Sequence, residues 1–169
     1  MIVDVQVRKS EWKDLPVIMA IFGHAREFMV SYGNTHQWSE YGWPPQDLIE
    51  KDIEIGRSYV IVDDEEILAT FCFMHGPHAD PCYDHIEQGE WDIDANYGVI
   101  HRIASSGKRK GMLAIASEFA LSRCSLLRMD THEDNAPMRH LMETLGFVYR
   151  GIVHVPQDDA PRLAFEKKI

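Results

Sequence analysis

Lys108, Arg109 and Lys110 stand in a row between Gly107 and Gly111, and a histidine, His101, lies just upstream in an apolar run. Cations beside glycines suit a polyphosphate, and an imidazole, with a reference pKa near neutrality, suits proton transfer. The run Tyr97-Gly-Val-Ile-His-Arg-Ile-Ala104 is rich in β-branched residues and reads as a strand. Beyond the loop, Met112 to Arg123 carries Met112, Ile115, Ala116, Phe119 and Ala120 at helical spacing. Strand, glycine loop and helix form a phosphate-binding arrangement, because the first N–H groups of a helix have no internal partner and point ahead of it. The amides of Lys110, Gly111, Met112 and Leu113 are therefore candidates for a polyphosphate, with Lys108 and Arg109 adding charge. A solvated turn is the plain alternative, since charge runs usually face water. Two familiar loops are excluded. The nucleoside-triphosphatase loop ends in Gly-Lys-Ser/Thr, whereas Lys110 is followed by Gly111 and Met112. The dinucleotide fingerprint needs three glycines at fixed offsets, and Asp130, an acid at the right distance, does not supply them.

A second strand, Leu126 to Thr131, runs into His132-Glu-Asp-Asn135, where Asp134 or Asn135 can cap the next helix and Pro137 sits in its first turn. Helix Ala136 to Thr144 is expected to bury Met138, Leu141 and Met142 and to stop at Gly146. Here the chain resembles the GNAT superfamily of acyl-CoA-dependent N-acetyltransferases. Lys108-Arg-Lys-Gly111 matches that family's Arg/Gln-x-x-Gly-x-Gly/Ala loop, and the run from Asn135 to Phe147 matches its Asn-x-x-x-x-x-x-Tyr-x-x-x-Gly-Phe helix. The resemblance implies that the loop grips the pyrophosphate of acetyl-CoA, the co-substrate. It also implies that the main chain of Ile103, Ala104 and Ser105 pairs with the pantetheine arm, and that Asn135, Met138 and Met142 lie along it. Two positions depart from the pattern. Leu113 stands where the family has its last loop glycine or alanine, and Met142 replaces the tyrosine that protonates the departing thiolate. A thioether cannot donate a proton.

An ammonium acceptor must lose a proton before it attacks. By strand alternation Tyr97, Val99, His101 and Ile103 share a face, which makes His101 the first candidate base and Tyr97, through an ordered water, the second. A histidine in a central strand is often a hydrogen-bonded core residue, and that alternative is open. No metal is expected. His75, His78, Cys82 and His85 recur closely, but a structural zinc site needs a second Cys/His pair at short spacing.

The elements that position these residues occupy the rest of the chain. At 169 residues one compact domain over residues 1–169 is expected. Seventeen basic against 27 acidic residues leave a formal charge of −10, which disfavours nucleic acid and favours a cationic or neutral acceptor. No run is long and apolar enough for a membrane span, and the start lacks a signal-peptide core. Three cysteines form no even disulfide framework and suggest a reducing, cytoplasmic setting. A first strand in Met1 to Lys9 is followed by a helix from Asp14 to Tyr32, with Val17, Ile21, Phe22, Ala25, Phe28 and Met29 expected along its inner side. In the loop Gln37 to Pro45, Gln37, Trp38, Tyr41 and Trp43 read either as a plug for the core or as a lid on the acceptor pocket. A short helix, Gln46 to Ile55, precedes strands Ser58–Val62 and Ile67–Met74, joined by an acidic tetrad, Asp63 to Glu66, whose charges are expected to face water. A long excursion follows, in which Trp91 adds a second aromatic wall, and a hairpin of Val148–Val155 and Arg162–Lys167 closes the sheet.

The expected fold is mixed α/β of the GNAT type, a twisted mixed sheet of about seven strands flanked by about four helices. The expected function is transfer of an acetyl group from acetyl-CoA to a primary amine of a small molecule or peptide. Two alternatives from other classes stay open: an acyl-CoA-binding module without chemistry, and a protein-interaction domain that uses the aromatic loop. A homodimer through the aromatic loop or the terminal hairpin is also open.

Overall fold

The computed structural model describes residues 4–35, 37–38, 42–92, 96–157 and 159–169. In chain order the elements are β1 (Val5–Lys9), α1 (Leu15–Ser31), α2 (Gln46–Glu54), β2 (Ser58–Asp63), β3 (Glu66–Pro77), β4 (Asn96–Ser105), α3 (Met112–Leu121), β5 (Leu126–His132), α4 (Ala136–Thr144), β6 (Val148–His154) and β7 (Pro161–Lys168). The seven strands are hydrogen-bonded in the order β1-β2-β3-β4-β5-β7-β6. β4 and β5 are parallel, as the α3 crossover requires, while β1–β2, β2–β3, β5–β7 and β6–β7 are antiparallel. The mixed sheet with four helices is the architecture expected from the sequence. No helix among the described residues is long and apolar enough to cross a membrane.

The chain divides into two compact units, Met1–Phe73 with Arg102–Ala116 and Met74–His101 with Ser117–Ile169. The divisions fall inside β3, β4 and α3, not in a linker.

In the first unit α1 buries Ile18, Ile21, Phe22 and Met29 against Ile49 and Ile53 of α2 and Val60 and Val62 of β2. This corrects the inner face expected for α1. Val17 and Phe28 are 45% and 54% exposed, because each precedes by one position the residues at the spacing that faces the core. The entry to α1 is fixed by Asp14, whose buried carboxylate accepts from Arg8 at 2.7 and 3.1 Å and from the Glu11 N–H at 2.7 Å. Asp52 of α2, also buried, accepts from Arg57 Nε at 2.8 Å and Arg102 Nε at 3.0 Å. Arg102 has a φ of 51°, in the left-handed region that a non-glycine residue rarely adopts.

In the second unit Tyr83, Tyr97, Val99, Leu126, Val153 and Ala164 form a buried cluster. The excursion between β3 and β4 is pinned to it. Glu87 and Ile152 exchange both main-chain hydrogen bonds at 2.8 Å. Gly89 lies so close to β6 that a Cβ there would stand 1.8 Å from the Arg150 carbonyl oxygen, which excludes any other residue. Further along, the Asp92 N–H donates to buried Glu166 at 3.0 Å, and Arg128 donates to the Asp92 carbonyl at 2.9 Å. Asn135 caps α4 by accepting from the Met138 N–H at 3.2 Å, and the Phe147 N–H closes the far end on the Met142 carbonyl at 2.9 Å beside Gly146. Of the residues expected on the inner side of α4, Met142 is fully buried, but Leu141 is 46% exposed and points outwards.

Candidate functional site

The second unit gathers five side chains from three segments around His101. On β4, Tyr97 and Val99 are buried, and His101 continues the same alternation. The parallel ladder to β5 pairs Gly98 with Leu127 and Val99 with Arg128 and goes no further, so His101 lies just past its last rung. Asp80 lies early in the excursion after β3 and caps the turn Pro81–Tyr83, its Oδ1 accepting from the Cys82 N–H at 2.9 Å. That cap leaves the other carboxylate oxygen, Oδ2, in a short hydrogen bond with His101 Nε2. On the opposite edge of the ring, His101 Nδ1 stands 3.8 Å from Asp130 Oδ2 of β5. The same Asp130 oxygen accepts from the Tyr83 hydroxyl at 2.6 Å. The Tyr97 hydroxyl donates to the Asp80 carbonyl at 3.1 Å and accepts from the Asp80 N–H at 3.2 Å, which locks the residue that holds the imidazole.

Burial works against a charge on Asp80, but the hydrogen bond and charge of His101, with the Cys82 N–H, outweigh it and hold the carboxyl below the usual range. Burial, then the negative charge of Asp130, push the Tyr83 phenol well above its ordinary value. Next to the dyad, burial and then the charge of Asp80 push the Cys82 thiol up to about 11. Cys82 is therefore a thiol at neutral pH and a poor nucleophile. The His101 side chain keeps 18% of its surface, so the ring is reachable, while the residues that hold it are largely enclosed.

The loop of cations belongs to the first unit. The Ile115 N–H donates to the Gly111 carbonyl at 3.1 Å, which makes the N–H groups of Met112, Leu113 and Ala114 the unpartnered first turn of α3. Gly111 has φ +89° and no atom within 4 Å of where a Cβ would stand, so the loop is open there and its conformation is one that only glycine takes easily. Met112 and Leu113, which open α3, are buried at 4% and 5% exposure, while Gly111 just ahead of them is exposed. The cations are not all free. Lys108 is paired with Glu66, and Arg109 Nη1 lies 3.1 Å from Asp63 Oδ2, while Lys110 is exposed. The ends of the acidic tetrad thus meet the cation loop while Asp64, Glu65 and Glu66 stay exposed and Asp63 is half-buried. Upstream, Ile103 and Ser105 are half-buried, Ala104 is buried, and the Ser106 N–H donates to the Leu68 carbonyl at 2.9 Å.

The aromatic residues are less open than a lid would be. Trp38 is 7% exposed and meets Phe22 edge to face at 5.8 Å, and Gln37, equally buried, accepts from Asn34 at 2.9 Å. Trp43 packs half-buried on the same core, and Tyr41 lies outside the described residues. The plug is therefore where the structure puts Trp38. Trp91 packs against Tyr83 at 5.2 Å and donates its indole N–H to the Tyr83 carbonyl at 2.8 Å. The Arg128 guanidinium lies 4.5 Å from its ring and 4.2 Å from that of Tyr97. Asn135 is buried as a helix cap, Met138 is half-buried, and Met142 shows no surface at all. Among the described residues no group of three His, Cys, Asp or Glu converges as metal ligands; His78 pairs with Asp84 at 2.8 Å instead.

Asp80, Tyr83 and the role of Asp130 escape a reading of the sequence alone. The one local signal is Asp80-Pro81, a dipeptide that starts turns.

The chain matches no family model, and no curated protein matches it. Solved structures do. A GNAT-family acetyltransferase from Streptococcus agalactiae is 29% identical with a TM-score of 0.83, over 98% of this chain and 95% of that one. A ribosomal-protein-alanine N-acetyltransferase from Brucella melitensis is 18% identical with a TM-score of 0.62, over 97% and 99%. An agmatine N-acetyltransferase is 14% identical with a TM-score of 0.60, over 98% and 100%.

Proposed function

We propose that this chain, a GNAT-superfamily acyltransferase, moves an acetyl group from acetyl-CoA to the primary amine of a small molecule or peptide. One observation carries the proposal. β4 presents a reachable imidazole, hydrogen-bonded to a carboxylate, just past the last rung of its ladder with β5, and the same strand then feeds the glycine loop and α3. The loop and the imidazole answer the two needs of aminolysis, a fixed thioester and a place for the amine's proton. Two of the similar proteins act on an amine, one at a protein's alanine and one on agmatine, which supports the acceptor class without choosing its size.

Acetyl-CoA would supply an activated acyl carbon on a good leaving group. The main-chain N–H groups from Gly111 to Ala114, with Lys110, would take its pyrophosphate, and the backbone of Ile103 to Ser105 would pair with the pantetheine arm. His101 would remove one ammonium proton, the free amine would add to the acyl carbon, the C–S bond would break with the sulfur leaving as thiolate, and the second nitrogen proton would pass through solvent to that thiolate. A thiol titrates near pH 8.5 by the usual reference, so that departure needs no tyrosine at position 142. Cys82, held as a thiol, points to direct transfer without an acyl-cysteine. Asn135 and Met138 are proposed to flank the arm, and the accessible parts of Trp43 and Trp91 to contact the acceptor.

A coenzyme-binding module without transfer is the second reading, favoured by Met142, which is buried and cannot donate a proton. A thermal-shift titration with acetyl-CoA, then a thiol-release screen over amines that includes agmatine and an alanine-initiated peptide, separates them. Stabilisation that follows RT ln(1 + [L]/Kd) with thiol release on some amine supports transfer. Stabilisation with no release on the whole panel supports the module, and no stabilisation at millimolar coenzyme ends both.

A further inference from the structure

His101 is bordered by a carboxylate on each ring edge, and the two are not equivalent. Asp80 Oδ2 is in hydrogen-bond contact with Nε2, whereas Asp130 Oδ2 stands 3.8 Å from Nδ1, beyond hydrogen-bond reach. Each carboxylate is itself held. Asp80 is fixed by the Cys82 N–H at 2.9 Å and by the Tyr97 hydroxyl on its own main chain, and Asp130 takes the Tyr83 hydroxyl at 2.6 Å. The ring packs 5.7 Å from that of Tyr83, which limits its rotation.

The geometry points to Asp80 as the positioning residue that sets the tautomer of His101, placing the proton on Nε2 so that Nδ1 is the atom that accepts the proton from the acceptor amine. An ionised carboxylate can only accept, so a short Nε2 to Asp80 contact demands a hydrogen on Nε2. The depressed pKa of the Asp80 carboxyl agrees with its being ionised. In neutral imidazole one nitrogen donates and the other carries the lone pair, so Nδ1 is left basic. When Nδ1 takes the proton, the new N–H faces the Asp130 edge. The Tyr83 hydroxyl holds Asp130 there, with Arg162 Nε 3.9 Å from its other oxygen, so Asp130 balances the imidazolium without moving. The proton thus passes from the ammonium nitrogen to Nδ1 and leaves to solvent after transfer, with no change of oxidation state. The acceptor must therefore approach the Nδ1 edge, the one flanked by Asp130, which suits a cationic amine. The groups that face His101 are Asp80 and Tyr83 from the excursion and Asp130 from β5, while Cys82 and Tyr97 reach it only through their bonds to Asp80.

This inference rests on His101 being the base, and its test does not need the acceptor. In protein labelled with 15N histidine, the two ring nitrogens of His101 are assigned with His101→Gln as the reference. The spectrum is recorded with the ring neutral. The wild-type protein should show a pyrrole-type Nε2 and a pyridine-type Nδ1. Asp80→Ala should mix the two tautomers, and Asp80→Glu should restore Nε2–H. A wild-type Nδ1–H tautomer, or one that Asp80→Ala leaves unchanged, overturns the assignment, and the wild-type spectrum decides even if Asp80→Ala fails to fold. Once an acceptor is found, Asp80→Ala should lower kcat about 100-fold with the KM for acetyl-CoA unchanged. If the tautomer is as stated but His101→Gln keeps full turnover, the base assignment falls while the tautomer assignment stands.

Discussion

The imidazole cluster and the cation loop solve opposite problems. Around His101 the partners come from the excursion and from β5, and each carboxylate beside the ring is held by another contact. Around Gly111 the useful groups are main-chain N–H groups from one short run, and the charged side chains are solvent-facing and loosely paired. A proton acceptor must be held at one distance and in one tautomer, which calls for enclosed, mutually buttressed side chains. A diphosphate is bound well by a turn of backbone and diffuse positive charge, for which an open loop is enough.

The sharpest way to break that contrast is a pair of variants with opposite readouts. His101→Ala should lower turnover about 10²- to 10⁴-fold, the usual share of a positioned base, while acetyl-CoA still protects the protein against heat. Gly111→Glu should do the reverse at the level of binding. It places a carboxylate where the diphosphate is proposed to sit and forces a left-handed φ that costs an ordinary residue about 1–2 kcal/mol. The protection seen in the wild type, about 2.7 kcal/mol at a hundredfold excess over Kd, should vanish. If both variants lose protection equally, the two regions do not divide the work as described.

Tyr83 tests whether the cluster is as tightly built as it looks. Tyr83→Phe removes a buried hydroxyl from Asp130 and should cost about 1–2 kcal/mol at pH 7 by chemical denaturation. The sign of its pH dependence follows from its titration. Burial, then Asp130, raise the folded phenol above the unfolded value near 10, so its stabilisation is complete below pH 10 and is lost as pH rises through the higher folded value. The gap between wild type and Tyr83→Phe should therefore narrow above pH 10. A gap that widens there would mean the phenol is not held neutral by the cluster.

The same contrast explains what could be read from the sequence. The cation loop, the α4 cap at Asn135 and the stop at Gly146 are local, written in neighbouring residues, and the strand and helix order follows from local periodicity. His101 was legible as a residue type on a strand. Its partners were not, because Asp80 and Asp130 reach it only through a capped turn and a parallel crossover whose register no local pattern specifies. Side-chain direction failed for a related reason. Val17 and Leu141 sit at the margin of an apolar stripe, where a rotation of one position decides between core and solvent, and Arg102 takes a left-handed φ at a point that composition does not mark.

The smallest expected effect concerns the acidic turn between β2 and β3. Asp63 and Glu66 hold Arg109 and Lys108, so a bound diphosphate has to compete with carboxylates of this chain for the same cations. The pairs are solvent-facing, with Lys108 64% exposed, and such pairs contribute about 0–1 kcal/mol to stability. Neutralising both carboxylates in Asp63→Asn/Glu66→Gln should thus leave the unfolding midpoint almost unmoved. Acetyl-CoA should nevertheless bind roughly threefold to tenfold tighter at low salt, since each cation freed from a surface pair is available to the phosphates. The gain should fade as salt is raised, because screening removes the carboxylate competition and the phosphate attraction together. Weaker binding in the double variant would show that the ion pairs shape the loop for its ligand, and the open region would then prove as deliberately held as the enclosed one.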